Sequence, residues 1–219
     1  MNPYSHVVIA SRLESLIKPE NPAEYYWGAI APDVRYIAVV PRQQTHVSAQ
    51  KIVGFLSRYP NLKSFIQGYL VHCLSDEVHM GEIFFRQFPF SLLKRKLSYQ
   101  HIAVVLELFC FENEKVNISM SDTHNEVLAE LGVNEAASAK LARSIGQYVM
   151  AGPAEARLAE LFRLLGPKDN SHLEKYVKAA MGFQKNWLLK NVLFFGIRQG
   201  KIIDTIVSRV TALLSISGI

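Results

Sequence analysis

The stretch Gly68–His79, GYLVHCLSDEVH, decides the fold. Its apolar residues Tyr69, Leu70, Val71 and Leu74 recur at helical spacing, so it belongs to a helix suited to a core. Two histidines and an aspartate are set among them. On an α-helix, residues four apart are rotated by about 40°, and residues seven apart by about 20° in the other sense. His72, Asp76 and His79 are therefore expected on one face. An imidazole and a carboxylate at i and i+4 can reach one metal ion, as paired histidines do in helical zinc motifs. His79 lies about 10 Å along the axis from His72 and would serve a neighbouring ion. The alternative is a hydrogen-bonded His72–Asp76 pair that satisfies a polar spot in the core.

Outward from this stretch, apolar residues recur mainly at three- and four-residue spacing, and strand-like alternation is scarce. The spacing predicts helices over 5–17, 47–58, 61–87, 90–112, 122–131, 134–150, 153–165, 170–184, 186–199 and 201–216. Asn61 and Ser121 read as N-caps, Pro153 as a first-turn proline, and Gly132, Gly152 and Gly166 as helix ends. The class is all-α. The expected organisation is one domain over 1–219, with 1–80 carrying the motifs and 90–219 a helical remainder. Lys18 to Thr45 reads as one long non-helical segment, whose aromatic cluster Tyr25, Tyr26 and Trp27 should pack on the helices and hold Asp33.

The 219 residues suffice for a sizeable core, and 49% hydrophobic with 20% charged residues excludes a disordered chain. The net charge of +5 comes from scattered Lys and Arg; it suits an anionic substrate and equally a solvated basic surface. Cys73 and Cys110 both lie in apolar helical patterns, which points to packing in a reducing compartment. The N-terminus MNPYSHVVIASRLESL has no secretory pattern, and no run is apolar enough to span a bilayer, so the expected location is the cytoplasm.

Three further residues join His72 and Asp76 of the opening helix: His6, Asp33 at the end of GAIAPD, and His46 at the end of QTH. Each has an ordinary reading on its own, as a core histidine, a turn-former, or a residue near a helix start. Their order and surroundings resemble the zinc-dependent phospholipase C family, whose fold is shared with zinc-dependent single-strand nucleases. The resemblance covers roughly residues 1–80 and implies a multi-helix all-α fold. It further implies one zinc held by Asp33, His46, His72 and Asp76, and a second held by His6, the bridging Asp76 and the amine of Met1. The third zinc of that family needs a His-x-x-x-acid pair, which this chain lacks. Four residues after His101, His124 and His172 stand Val105, Leu128 and Tyr176. His79 stands where the family has a further histidine ligand, and Glu82 could complete a site with it. Two zinc ions are expected, with one as the minimum and three as the limit.

The chemistry this implies is hydrolysis of a phosphodiester or phosphomonoester by metal-activated water, with a phospholipid as the class the resemblance suggests. Asp76 would bridge and Asp33 would orient the water, making these two the catalytic residues. Arg35 and Tyr36 could meet phosphate oxygens. A nuclease or nucleotidase is the second enzymatic reading, with Tyr25, Tyr26 and Trp27 as stacking platforms. A non-catalytic metal-binding or membrane-peripheral protein is the third, on the strength of the apolar C-terminal stretch from Asn186, which otherwise reads as a core helix. The all-α phosphohydrolases marked by an adjacent His-Asp pair are disfavoured, because no such dipeptide occurs.

Overall fold

Helix α6, Lys63–Glu77, has every residue from Ser64 to Ser75 buried, Gln67 and His72 included. A helix covered on all sides is the centre of a bundle. Around it stand α1 (Pro3–Ile17), α2 (Pro22–Gly28), α5 (Ala49–Arg58) and the C-terminal α12 (Ile202–Ile216). The remaining helices are α3 (Arg35–Ala38), α4 (Arg42–Thr45), α7 (Met80–Gln87), α8 (Tyr99–Asn113), α9 (Glu126–Glu130), α10 (Glu135–Met150) and α11 (Trp187–Gln199), with 3-10 turns at Ala31–Val34 and Pro60–Leu62. The computed structural model describes residues 2–91, 97–116, 121, 124–150, 156–157, 159–160, 163, 182 and 185–217. Among the described residues there is no strand, and the class is all-α.

The segment from Lys18 to Thr45 is more helical than its sequence led us to expect. Asn21 caps α2 by accepting from the Ala23 and Glu24 amides, and Pro22 occupies the first turn. The aromatic cluster packs as expected: Tyr25, Tyr26 and Trp27 are all buried, and the Tyr25 hydroxyl donates to the Ala10 carbonyl at 3.0 Å. Helix α2 crosses α6 backbone to backbone. A Cβ added to Gly28 would stand 2.0 Å from the Phe65 carbonyl oxygen, and one added to Gly68 would stand 1.9 Å from that of Tyr25. No side chain fits at either position.

The expected single helix over 61–87 is two. It ends at Glu77, the chain extends through buried Val78, and α7 restarts after His79. Leu62, not Asn61, precedes α6, and Asn61 lies within a 3-10 turn. Helix α9 is capped by Asn125, which accepts from Leu128, in place of Ser121. Gly132 ends α9 as expected, at φ +73°. Helices α5, α10, α11 and α12 match expected ranges to within about two residues. The helices expected over 153–165 and 170–184, with Pro153, Gly152, Gly166 and His172, fall outside the described residues for the most part.

The C-terminal stretch is core on one face. Leu193, Phe194 and Ile197 of α11 and Ile202, Ile206, Val210 and Leu214 of α12 are buried, and α12 packs on α1, α6 and α7. Among the described residues no helix is long and apolar enough to cross a membrane.

Candidate metal centre

The α2–α6 crossing sets the first donor. Because Gly68 admits α2 so closely, the Ala29 carbonyl reaches Nδ1 of His72, one turn further along α6, at 2.8 Å. A carbonyl can only accept, so Nδ1 carries the proton and the neutral ring keeps a lone pair on Nε2. That ring is fully buried, and burial holds its pKa well below the ordinary histidine value.

His46 arrives from the end of α4. The Tyr69 hydroxyl donates to the Thr45 carbonyl, and Gln44 donates to the Leu131 carbonyl at 2.7 Å. These contacts fix α4 against α6 and the end of α9. The Thr45 hydroxyl stands 3.1 Å from His46 Nδ1, which leaves Nε2 facing inward, 3.2 Å from His72 Nε2 and 3.2 Å from Asp76 Oδ2. Two donors bound at about 2.0–2.1 Å to one tetrahedral ion stand about 3.3 Å apart. Both separations from His46 Nε2 are those of one coordination sphere, and the ligand atoms of His46, His72 and Asp76 all lie within 4.8 Å of one another.

His6 comes from α1 and stacks on His72, with ring centroids 3.8 Å apart and planes inclined by 16°. Its Nε2 lies 3.3 Å from Asp76 Oδ1, but without hydrogen-bond alignment, and both of its ring nitrogens are buried with no hydrogen-bond partner. Burial lowers its pKa to about 4. Asp33, in the 3-10 turn after α2, has Oδ2 buried and equally unpartnered. Burial first, then the charge of Asp76, raises its pKa to about 7. Asp76 shows the opposite balance: burial raises its pKa, but the groups around it, His46 and His6 among them, outweigh burial and hold it far below the carboxylate range.

Five of the six expected donors therefore converge. Their ligand atoms form two groups, His6–Asp33–His72 and His46–His72–Asp76, each with all atoms within 4.8 Å of one another. His79 does not join them. The break after Glu77 removes it from the His72 face, leaving it exposed before α7, and Glu82 is exposed in the first turn of that helix. The Met1 amine lies outside the described residues. His101 instead closes a capping box with Ser98, and His124 pairs with Ser138 at 3.1 Å. Cys73 and Cys110 are free and buried, as expected of packing residues.

Two residues at the site were not singled out from sequence. Arg42 places a terminal guanidinium nitrogen 2.7 Å from Asp76 Oδ2. Its signal was the QTH stretch itself, since Arg42 lies one helical turn before His46. Glu107, fully buried on α8, accepts from the amides of Tyr4 and Ser5 at 2.8 Å, from the Ser5 hydroxyl at 2.5 Å and from the Tyr148 hydroxyl. It thereby clamps the first turn of α1, directly before His6.

No family model, no curated protein and no solved structure matches this chain.

Proposed function

We propose that this protein is a zinc-dependent hydrolase of phosphate esters. The observation that carries the reading is the pair of orphaned donors: a fully buried histidine with neither ring nitrogen satisfied, beside a buried carboxylate oxygen with no partner. Buried polar atoms are almost always paired, and burying them bare is costly. A cation among them removes that cost. No hydrogen bond joins His72 to Asp76 among the described residues, as the ordinary alternative would need; His72 bonds Ala29, and Asp76 lies against His6, Arg42 and His46.

The donor set, three imidazoles and two carboxylates, suits zinc. His46, His72 and Asp76 through Oδ2 would hold one ion, because His72 has a single free nitrogen. Asp76 Oδ1 faces His6 on the other side, the orientation a bridging carboxylate needs for a second ion. Bound zinc would supply hydroxide near neutral pH and neutralise charge growing on phosphoryl oxygens. Asp33, whose ionisation lies near neutrality, would accept a proton at Oδ2 and orient the attacking water. Asp76 would hold the donor spacing, and the Ala29 carbonyl would keep His72 in the ligating tautomer. A nuclease reading lacks support, because the expected stacking residues Tyr25, Tyr26 and Trp27 are buried in the core.

Metal content by plasma mass spectrometry, with a panel of phosphomonoesters and phosphodiesters, tests the proposal. One or two zinc ions per chain are expected, lost in the double variant His72→Ala, Asp76→Ala together with any hydrolysis. A wild-type chain that holds no metal after zinc loading would end it.

A further inference from the structure

The guanidinium groups of Arg35 and Arg42 flank the donor cluster and are not part of it. Arg42 lies against Asp76 by one terminal nitrogen while its side chain remains 49% exposed, so other N–H groups face solvent. The Arg35 guanidinium lies over the Tyr36 ring, 3.8 Å from its centroid, and donates to the Tyr36 hydroxyl. Its Nε is buried with no hydrogen-bond partner. The chain between the two arginines turns at Val39, at φ +59°, although this side chain is 58% exposed and anchors nothing in the core. A β-branched residue at positive φ is strained, and such strain gathers where function fixes the backbone. The turn lets α3 and α4 present both arginines beside Asp33, Asp76 and His46. Arg35 follows Asp33 by two residues, where the 3-10 turn runs into α3, and Arg42 opens the short α4 that ends at His46, so each guanidinium is carried by the segment that carries a donor.

We infer that Arg35 and Arg42 form an anion site beside the cluster, and that its ligand is the dianionic phosphoryl end of a phosphate monoester. This rests on the zinc-dependent reading above and narrows its substrate class. Asp33 and Asp76 together cancel one divalent ion, so the two guanidinium charges stand over as excess positive charge. A phosphodiester offers one negative charge shared over two non-bridging oxygens. A monoester offers two charges and three oxygens, which match fork-shaped donors approaching from one side and metal from the other.

Isothermal titration of the zinc-loaded full chain with phenyl phosphate, inorganic phosphate and dimethyl phosphate tests this, with zinc content measured on every sample. Phenyl phosphate and inorganic phosphate should bind at least about tenfold more tightly than dimethyl phosphate. Arg35→Gln and Arg42→Gln should each weaken phenyl phosphate binding by about tenfold or more with zinc content unchanged, and Arg35→Lys should recover part of the loss. Should Arg42→Gln shed zinc, Arg35→Gln, which touches no donor, decides alone. Equal affinity for the diester, or unchanged phenyl phosphate binding in the zinc-retaining Gln variants, overturns this inference and leaves the zinc reading intact. A wild-type chain without zinc removes both.

Discussion

The Ala29 carbonyl accepts from His72 Nδ1 at 2.8 Å because Gly68, one turn earlier on the same helix, carries no side chain to hold α2 away. The central helix thus encodes both the ligand and the means of orienting it within five residues. Removing the space should therefore act on stability and metal binding together.

Gly68→Ala places a Cβ 1.9 Å from the Tyr25 carbonyl oxygen, a backbone atom that moves only with the whole of α2. We expect a loss of about 3 kcal/mol or more in urea unfolding, at the upper end of overpacking costs. Zinc content should fall as well, since Ala29 leaves His72 when α2 is displaced. Gly54→Ala on the exposed face of α5, where a Cβ meets nothing within 4 Å, is the control and should stabilise by about 0.5–1 kcal/mol. Equal stability of the two variants would refute the close-packed crossing.

Glu107 is the second anchor. Removing it leaves the amides of Tyr4 and Ser5 and two hydroxyls without an acceptor in the core, and each such loss costs about 1–3 kcal/mol. Glu107→Ala should unfold the chain or lower its melting temperature severely. Glu107→Gln keeps the volume and one acceptor, so it should fold with a smaller loss of about 2 kcal/mol and weaker zinc retention through His6. Unchanged zinc retention in the folded Gln variant would show that the clamp serves the fold alone.

The legibility of the fold and the site in sequence tracks the range of the interactions. The register of His72 and Asp76, the burial of their helix and the helical class are local matters of spacing, and they read directly. Asp33, His46 and His6 lie on other elements and came from order and resemblance; the structure brings them to the same place. Glu107 was invisible because a lone carboxylate in an apolar run has no local signature, and its donors lie 41 to 103 positions away. The fate of His79 turned on a helix break at Val78, which no Gly or Pro announces. Helix α2 was legible but missed: Asn21, Pro22 and Glu24 form an ordinary helix start.

Metal-free protein should be acid-labile. His6, His46 and His72 all have pKa values lowered by burial, to about 4 for His6, so the folded state refuses protons that the unfolded chain takes up from about pH 6.5. Their contribution is complete above that value and is lost as pH falls towards 4. Asp33 runs the other way. Its pKa is raised to about 7, so its contribution is complete below about 3.9 and lost as pH rises through 7. Burial raises the pKa of Glu107 as well, so three lowered histidines stand against two raised carboxyls and leave a net loss on acidification, each unmatched proton changing stability by about 1.4 kcal/mol per pH unit. Melting temperatures followed by circular dichroism in chelator should fall steeply between pH 6.5 and 4.5. His6→Asn should flatten that slope; a flat profile in the wild type would contradict the neutral, buried state of the histidines.

Zinc binding should release protons in a pH-dependent way whose source is Asp33. At pH 6 the metal-free carboxyl is mostly protonated while the buried histidines are already neutral, so ligation displaces about one proton, and little at pH 8. Calorimetric titrations in buffers of different ionisation enthalpy count those protons. Asp33→Asn should abolish the release at pH 6, and whatever remains near pH 7 then reports ionisation of a metal-bound water. Release that persists at pH 6 in the Asn variant would place the proton on a histidine instead. Asp33 would then be an ionised ligand from the start, and the role of proton acceptor would have to pass to another group.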